Sequence, residues 1–167
     1  VVLRGKAHKF GDDINTDYII AGKYKFKTLD MDELAKHVME DLDPEFATRL
    51  KPGDFVVAGR NFGCGSSREQ APLALIHAKV GAVIAVSFAR LFYRNAVNTG
   101  LPVVECDTSA ISSGDELEVD LGQGTVVNVT RGVTVSASPL PPFMQRIFED
   151  GGLAAHIRKH GGFNLGL

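Results

Sequence analysis

The stretch Phe55-Val56-Val57-Ala58-Gly59-Arg60-Asn61-Phe62-Gly63-Cys64-Gly65-Ser66-Ser67-Arg68 decides the fold. Its first five residues are apolar and rich in β-branched side chains, the pattern of a strand buried on both faces. A Gly- and Ser-rich loop follows over residues 60–67, and a helical run over residues 68–80 stops at Gly81. Residues 82–86 read as a second buried strand. Residues 87–98 read as a second helix with Gly100 past its end, and residues 101–106 as a third strand. Strand, loop, helix, strand, helix, strand is the pattern of a parallel sheet with right-handed crossovers. It predicts an α/β fold.

Working outward, residues 1–10 read as a short strand entering a turn at Gly11-Asp12-Asp13, followed by a polar loop at Asn15-Thr16-Asp17. Asp30 and Glu33 have the spacing of a capping box and predict an amphipathic helix to about Glu40. Asp43-Pro44 begins a second short helix, with Pro at its first position. Lys51-Pro52-Gly53-Asp54 is a turn. On the other side, residues 116–121 and 125–130 alternate apolar and polar around Gly122-Gln123-Gly124, a hairpin signal. Pro139-Leu140-Pro141-Pro142 breaks the chain before one or two helices over residues 143–160. There is no repeat and no low-complexity tract, so residues 1–167 are expected to form a single domain.

Composition narrows the function classes. Hydrophobic residues make up 44% of the 167 and charged residues 23%, ordinary values for a globular core. The net charge of −2 gives no reason to expect a nucleic-acid partner or an anionic membrane. Apolar runs such as residues 81–86 are too short to span a bilayer. Residues 1–6 lack the long apolar region of a secretory signal. The two cysteines, Cys64 and Cys106, do not suggest a disulfide framework, and a reducing, cytoplasmic setting is expected. His8, His37, His77, His156 and His160 show no metal-ligand spacing, so no metal site is expected. His156 and His160 are four apart but lack a third ligand in sequence, and read as surface residues.

The loop at residues 60–67 has the parts of a carboxylate pocket. Ligands of parallel sheets bind at the carboxyl ends of strands. Free N–H groups at a helix start favour an anion. Gly63 and Gly65 allow close backbone approach, Ser66 and Ser67 add hydroxyls, and Arg68 can grip a carboxylate with two hydrogen bonds. A lone Gly-x-Gly-Ser-Ser would more simply be a turn with a serine helix cap. The segment contains no P-loop, no dinucleotide fingerprint and no nucleophile elbow.

Its neighbours carry a more specific signal. Residues 60–71, Arg-Asn-Phe-Gly-Cys-Gly-Ser-Ser-Arg-Glu-Gln-Ala, resemble the signature of the 3-isopropylmalate dehydratase small-subunit family, shared with the swivelling fourth domain of aconitase. Residues 12–20, Asp-Asp-Ile-Asn-Thr-Asp-Tyr-Ile-Ile, resemble its N-terminal motif, and residues 87–102 its third. The resemblance runs over roughly the whole chain and keeps the family's order.

The resemblance implies a three-layer β/β/α swivelling domain. It implies a hydro-lyase that interconverts 2- and 3-isopropylmalate by dehydration and rehydration in leucine biosynthesis, active only with a large subunit. It assigns Ser66 as the base, and Ser67 and Arg68 as carboxylate ligands, with Gly65 beside them and Asp17 at the active site. A serine is a poor base unless N–H groups and a nearby cation favour its alkoxide, and such a field would also stabilise the carbanion formed. The family's [4Fe-4S] cluster needs three or four thiolates. Two cysteines cannot supply them, so the cluster is expected on the large partner.

In this family, substrate choice is attributed to the loop after the Thr-Asp motif, here Ala21-Gly22-Lys23-Tyr24-Lys25-Phe26-Lys27-Thr28. It matches neither the Tyr-Leu-Arg-Thr of homoaconitase-like relatives nor the apolar isopropylmalate pattern. Phe26 can cover an apolar branch. Lys25 or Lys27 either meets a carboxylate or is solvated surface charge. Arg90 and Arg94 share a helix face and are assigned to holding the loop or the partner subunit. Two alternatives stand beside the main reading. One is a small subunit for another hydroxy-di- or tricarboxylate, such as homocitrate, citrate or a methyl-substituted malate. The other is a stand-alone anion-binding module, against which the intact Ser66-Ser67-Arg68 argues.

Overall fold

The computed structural model describes residues 2–21, 30–65 and 69–161. The chain runs β1 (Val2–Lys9), α1 (Thr16–Ile19), α2 (Met31–Ala35), α3 (Phe46–Arg49), β2 (Phe55–Ala58), α4 (Gln70–His77) and β3 (Ala82–Ala85). It continues through α5 (Arg90–Thr99), β4 (Val103–Glu105), β5 (Glu116–Asp120), β6 (Thr125–Asn128), β7 (Val133–Ser136), α6 (Pro142–Glu149) and α7 (Leu153–His160).

The seven strands form one mixed sheet in the order β4-β3-β2-β1-β5-β6-β7. The first four are parallel, with Ala7 opposite Phe55, Val56 opposite Val83 and Ile84 opposite Val104. The last three extend the sheet antiparallel from β1, where Leu3 faces Val119. Strand β1 belongs to both halves. Its first residues alternate in exposure and pair with β5, whereas Ala7 and His8 are buried against β2. The sheet curls until its two edges meet. Cys106, just past β4, forms an antiparallel bridge with Ala137, just past β7. The two halves thereby become two β layers with helices outside, the mixed α/β architecture expected.

The crossover helices α4 and α5 pack side by side, α2 lies against α4, and α7 lies against α5. Strands β2 and β3 are buried at every position, which explains their unbroken apolar sequence. Under them, Phe46, Phe55, Leu75, Ile84 and Leu101 are fully buried. A buried hydrogen-bonded pair, His8 and Asp54, closes the lower end of β2. Asp54 accepts hydrogen bonds from His8 Nε2 at 2.9 Å and from the backbone N–H groups of Lys6 and Lys51 at 3.0 Å each. Burial pushes the Asp54 carboxyl up, but the His8 and backbone hydrogen bonds outweigh it and hold it below the ordinary carboxylate range.

Several elements depart from the sequence reading for local reasons. The loop at Asn15-Thr16-Asp17 contains a helical turn, because the Asn15 side chain accepts from Tyr18 N–H and caps α1. Helix α2 starts at its Asp30 cap but stops at Ala35. Beyond it, Met39 takes a left-handed conformation (φ 58) and its N–H donates to Ile19 O. Glu33 does not complete a capping box; its carboxylate meets Lys36 and His37. Helix α3 begins at Phe46, two residues after Pro44, with Asp43 accepting from Glu45 N–H. Helix α5 begins at Arg90, because Phe62 and Phe88 form a bridge that keeps the segment after β3 extended. Strand β7 was not anticipated, although Arg131-Gly132 before Val-Thr-Val-Ser is a turn followed by an alternating strand.

Candidate functional site

The carboxyl ends of β1, β2 and β3 lie side by side, so the loops leaving them meet. These loops are the three motifs read from sequence. The first and second are joined by Gly59 N–H to Gly11 O (3.1 Å), Asp13 N–H to Arg60 O (2.9 Å) and Gly63 N–H to Ile14 O (2.7 Å). Thr16 N–H then donates to Cys64 O at 2.9 Å, the bond that extends the sheet pairing as an Asn15–Cys64 bridge. The second and third are joined by Phe62 N–H to Ser87 O and Ala89 N–H to Phe62 O, each 3.0 Å, and by Asn61 N–H to Ser87 Oγ at 2.9 Å.

Side chains lock this crossing. Asp12 Oδ1 accepts from Arg60 N–H at 2.7 Å, and Asn61 Nδ2 donates to Asp13 Oδ1 at 3.1 Å. Asp13 (φ 54) and Asn61 (φ 59) are both left-handed, a conformation that Asp and Asn tolerate better than most residues. Beneath them, Phe62 is fully buried and meets Phe88 and Phe92 edge-on, at centroid distances of 6.0 and 5.2 Å. Gly63 (φ 83) is required here, because a Cβ at this position would collide with the Phe92 ring.

The sequence-derived site residues divide accordingly. Gly65 (φ 93) lies over the start of α1, where an added Cβ would sit 3.5 Å from Asn15 Cβ and 3.7 Å from Thr16 Oγ1. Asp17 is exposed in the first turn of α1, next to Thr16, so Gly65 and the Thr-Asp motif adjoin. Ser66, Ser67 and Arg68 lie outside the described residues, as do Lys25, Phe26 and Lys27. Helix α4 follows from Gln70, with Ala71, Pro72, Ala74 and Leu75 buried. Arg90 and Arg94 stand exposed on α5 and make no ion pair among the described residues. With Phe88, Tyr93 and Glu105 they line a groove of about 260 Å³ at the same sheet edge. Burial, and then Glu105, push the Tyr93 phenol up.

The chain's cysteines do not fit an iron–sulfur cluster. Cys106 is buried, and burial with a smaller effect of Asp107 pushes its thiol up to about 11, away from the thiolate a metal needs. Burial and Asp13 raise the Cys64 thiol as well. Both are free and they sit in different places, Cys64 in the motif crossing and Cys106 at the seam of the curled sheet.

Of the two terminal histidines expected at the surface, His160 is exposed and His156 is not. His156 is fully buried, and a carboxylate distant in sequence pattern but near in space, Asp150, contacts both His156 and His160. Their four-residue spacing was visible in sequence. The carboxylate partner depends on how α6 turns into α7.

A sheet of this order, with three motif loops bonded together at one end, defines a class. Residues 12–108 match the aconitase C-terminal domain, and the chain belongs to that family. It is 59% identical over 161 residues to 3-isopropylmalate dehydratase small subunit 2 of Archaeoglobus fulgidus, covering 96% of this chain and 98% of that one. It is also 53% identical over 158 residues to the methanogen homoaconitase small subunit of Methanothermobacter thermautotrophicus, covering 95% and 92%. A crystal structure of 3-isopropylmalate dehydratase from Methanocaldococcus jannaschii superimposes with a TM-score of 0.92 at 44% identity, covering 96% of each chain. Among the described residues, no helix is long and apolar enough to cross a membrane.

Proposed function

We propose that this chain is the small subunit of a 3-isopropylmalate dehydratase, a hydro-lyase whose active site is completed by a large subunit. The observation that carries the reading is the bonded crossing of the three motif loops, in a chain closely similar to small subunits over almost its full length. Ser66 serves as the base that removes the substrate C–H proton. Ser67 and Arg68 hold a substrate carboxylate, with Gly65 giving close backbone approach and Asp17 facing the same site. A preorganised set of such groups would need little reorganisation as charge develops at proton loss.

The [4Fe-4S] cluster belongs to the large partner in this reading, since neither Cys64 nor Cys106 is suited to it. Phe26 and Lys27 form the substrate-selecting loop. The small hydroxy-dicarboxylate is therefore enclosed between two chains, and the work is that of a cytoplasmic biosynthetic enzyme.

A second reading is a homoaconitase-type small subunit. It is favoured by the comparable 53% identity to a relative of that name, which shows that overall similarity separates the two substrates poorly. Anaerobic reconstitution with the cluster-bearing large subunit, followed by assays on isopropylmalate, homocitrate, citrate and methyl-substituted malates, decides between them. Turnover of isopropylmalate above the others is expected. Full activity of this chain alone would overturn the shared-site reading. Ser66→Ala is expected to lower turnover about 10²–10⁴-fold with substrate binding largely kept. Wild-type turnover in that variant would remove Ser66 as the base.

A further inference from the structure

The C-terminal helices bring together a second set of chemically active groups. Asp150 ends α6, Gly151-Gly152 makes the turn, and α7 follows. His156 and His160 are one helical turn apart on α7, with ring centroids 4.7 Å apart. Both rings reach the same oxygen: His156 Nδ1 lies 2.8 Å and His160 Nε2 3.0 Å from Asp150 Oδ2. Lys159 Nζ lies 3.0 Å from the other oxygen, Oδ1.

We propose that Asp150, His156 and His160 form a binding site for a divalent first-row transition ion such as Zn²⁺ or Co²⁺. One donor atom from each of the three lies within 4.8 Å of the others. With metal–ligand bonds of about 2.1 Å, the two N···O edges of 2.8 and 3.0 Å correspond to N–metal–O angles of about 90°, as at a six-coordinate ion. Two imidazoles and one carboxylate suit first-row ions and disfavour Ca²⁺ or Mg²⁺, which take oxygen ligands. The set is built into the fold. The His156 side chain is fully buried and that of Asp150 is 7% exposed, while His160 at 26% leaves one side open for ion entry and water ligands.

Lys159 Nζ, His156 and His160 all hydrogen-bond the Asp150 carboxylate, so its two oxygens face three nitrogen groups. On coordination the ion replaces the proton on each donor nitrogen, which passes to the other nitrogen of a neutral ring or to solvent from an imidazolium. Lys159 remains on Oδ1 and orients the carboxylate, as second partners of metal ligands commonly do. The ion would staple α7 to α6 across the Gly151-Gly152 turn. That turn is itself packed against the end of α5, where an added Cβ at Gly152 would collide with Asn98 O.

The test is a titration of the tag-free, chelator-stripped full chain with Co²⁺ and with Zn²⁺, followed by calorimetry, by the visible absorption of Co²⁺ and by thermal unfolding. One equivalent is expected to bind, with weak ligand-field bands, no thiolate charge-transfer band and a rise in Tm. His160→Ala and Asp150→Asn should each lower the affinity at least about 10-fold, as loss of one ligand does. Lys159→Ala, which removes the group that orients the carboxylate, should lower the affinity no more than His160→Ala does. His160→Gln, with a polar side chain of similar reach, provides a folded control for the partly exposed position. Absence of saturable uptake would overturn the site, leaving Asp150 as a hydrogen-bond acceptor only. Uptake unchanged in His160→Ala, or accompanied by thiolate bands, would overturn it by assigning the ion to other residues.

Discussion

The two halves of the sheet follow opposite rules. In the parallel half, β2 and β3 are buried at every residue, and their chain reversals are made by helices. In the antiparallel half, β5 and β6 alternate buried residues with half-buried or exposed ones, and β7 is mostly exposed. The parallel half gathers three motif loops because all its strands point the same way and their carboxyl ends share one edge. An antiparallel sheet sends successive ends to opposite edges and cannot gather them. The lesson is a division of labour. One half gathers the motif loops, and the other closes the curl and covers the core.

The largest expected effect tests whether the motif crossing is both structural and functional. Phe62→Ala removes the fully buried ring under the crossing and should cost about 3–5 kcal/mol in denaturant unfolding. It should also lower turnover per folded molecule in the reconstituted enzyme. Unfolding without any change in turnover would show that the loops are positioned from elsewhere.

Asp54→Asn probes the same half at its other end. Removing one partner of the buried His8–Asp54 pair should cost about 3 kcal/mol while leaving turnover per folded molecule unchanged. The sign of its pH dependence follows from the lowered carboxyl. An unfolded Asp titrates near 3.8, and the folded one lower. The Asp54 contribution is therefore complete above about pH 4 and is lost as pH falls through the folded value. Unfolding curves of the parent and the variant should converge below that pH, and a gap that persists there would refute this account.

A smaller effect is expected in the antiparallel half. Fully buried Asn128 donates to Ala110 O at 3.0 Å and to Asp115 Oδ2 at 2.8 Å, and its Oδ1 accepts from Arg131 N–H at 3.2 Å. Asn128→Ala should cost about 1–3 kcal/mol without altering KM. A changed KM would break the proposed division between the halves. The smallest effect belongs to the exposed strand: Val133→Thr on β7 should change stability by less than about 0.5 kcal/mol.

The legibility of the chain follows the same division. The parallel strands were readable because burial on both faces demands an unbroken apolar run, and the β5–β6 hairpin because one-sided burial demands alternation. Strand β7 has little burial to enforce a pattern, so its signal was weak. The ends of α2 and α5 were misplaced because tertiary bonds set them: Met39 to Ile19 in one case, and Phe62 with Phe88 in the other. His8 and Asp54 are 46 residues apart, and nothing local announces their pairing.

Sequence alone determined the α/β class and the motif order, because each depends on residue type at short spacing, and the resemblance of those motifs to a family supplied the candidate base and carboxylate ligands. Tertiary structure decided that Gly65 lies over Thr16, beside Asp17, that Cys64 and Cys106 sit apart with raised thiols, and that the sheet curls until Cys106 meets Ala137. It also decided that Asp150 meets His156 and His160. These outcomes rest on how strands twist and how helices pack, which bring distant residues within bonding range and leave no short-range trace in the chain.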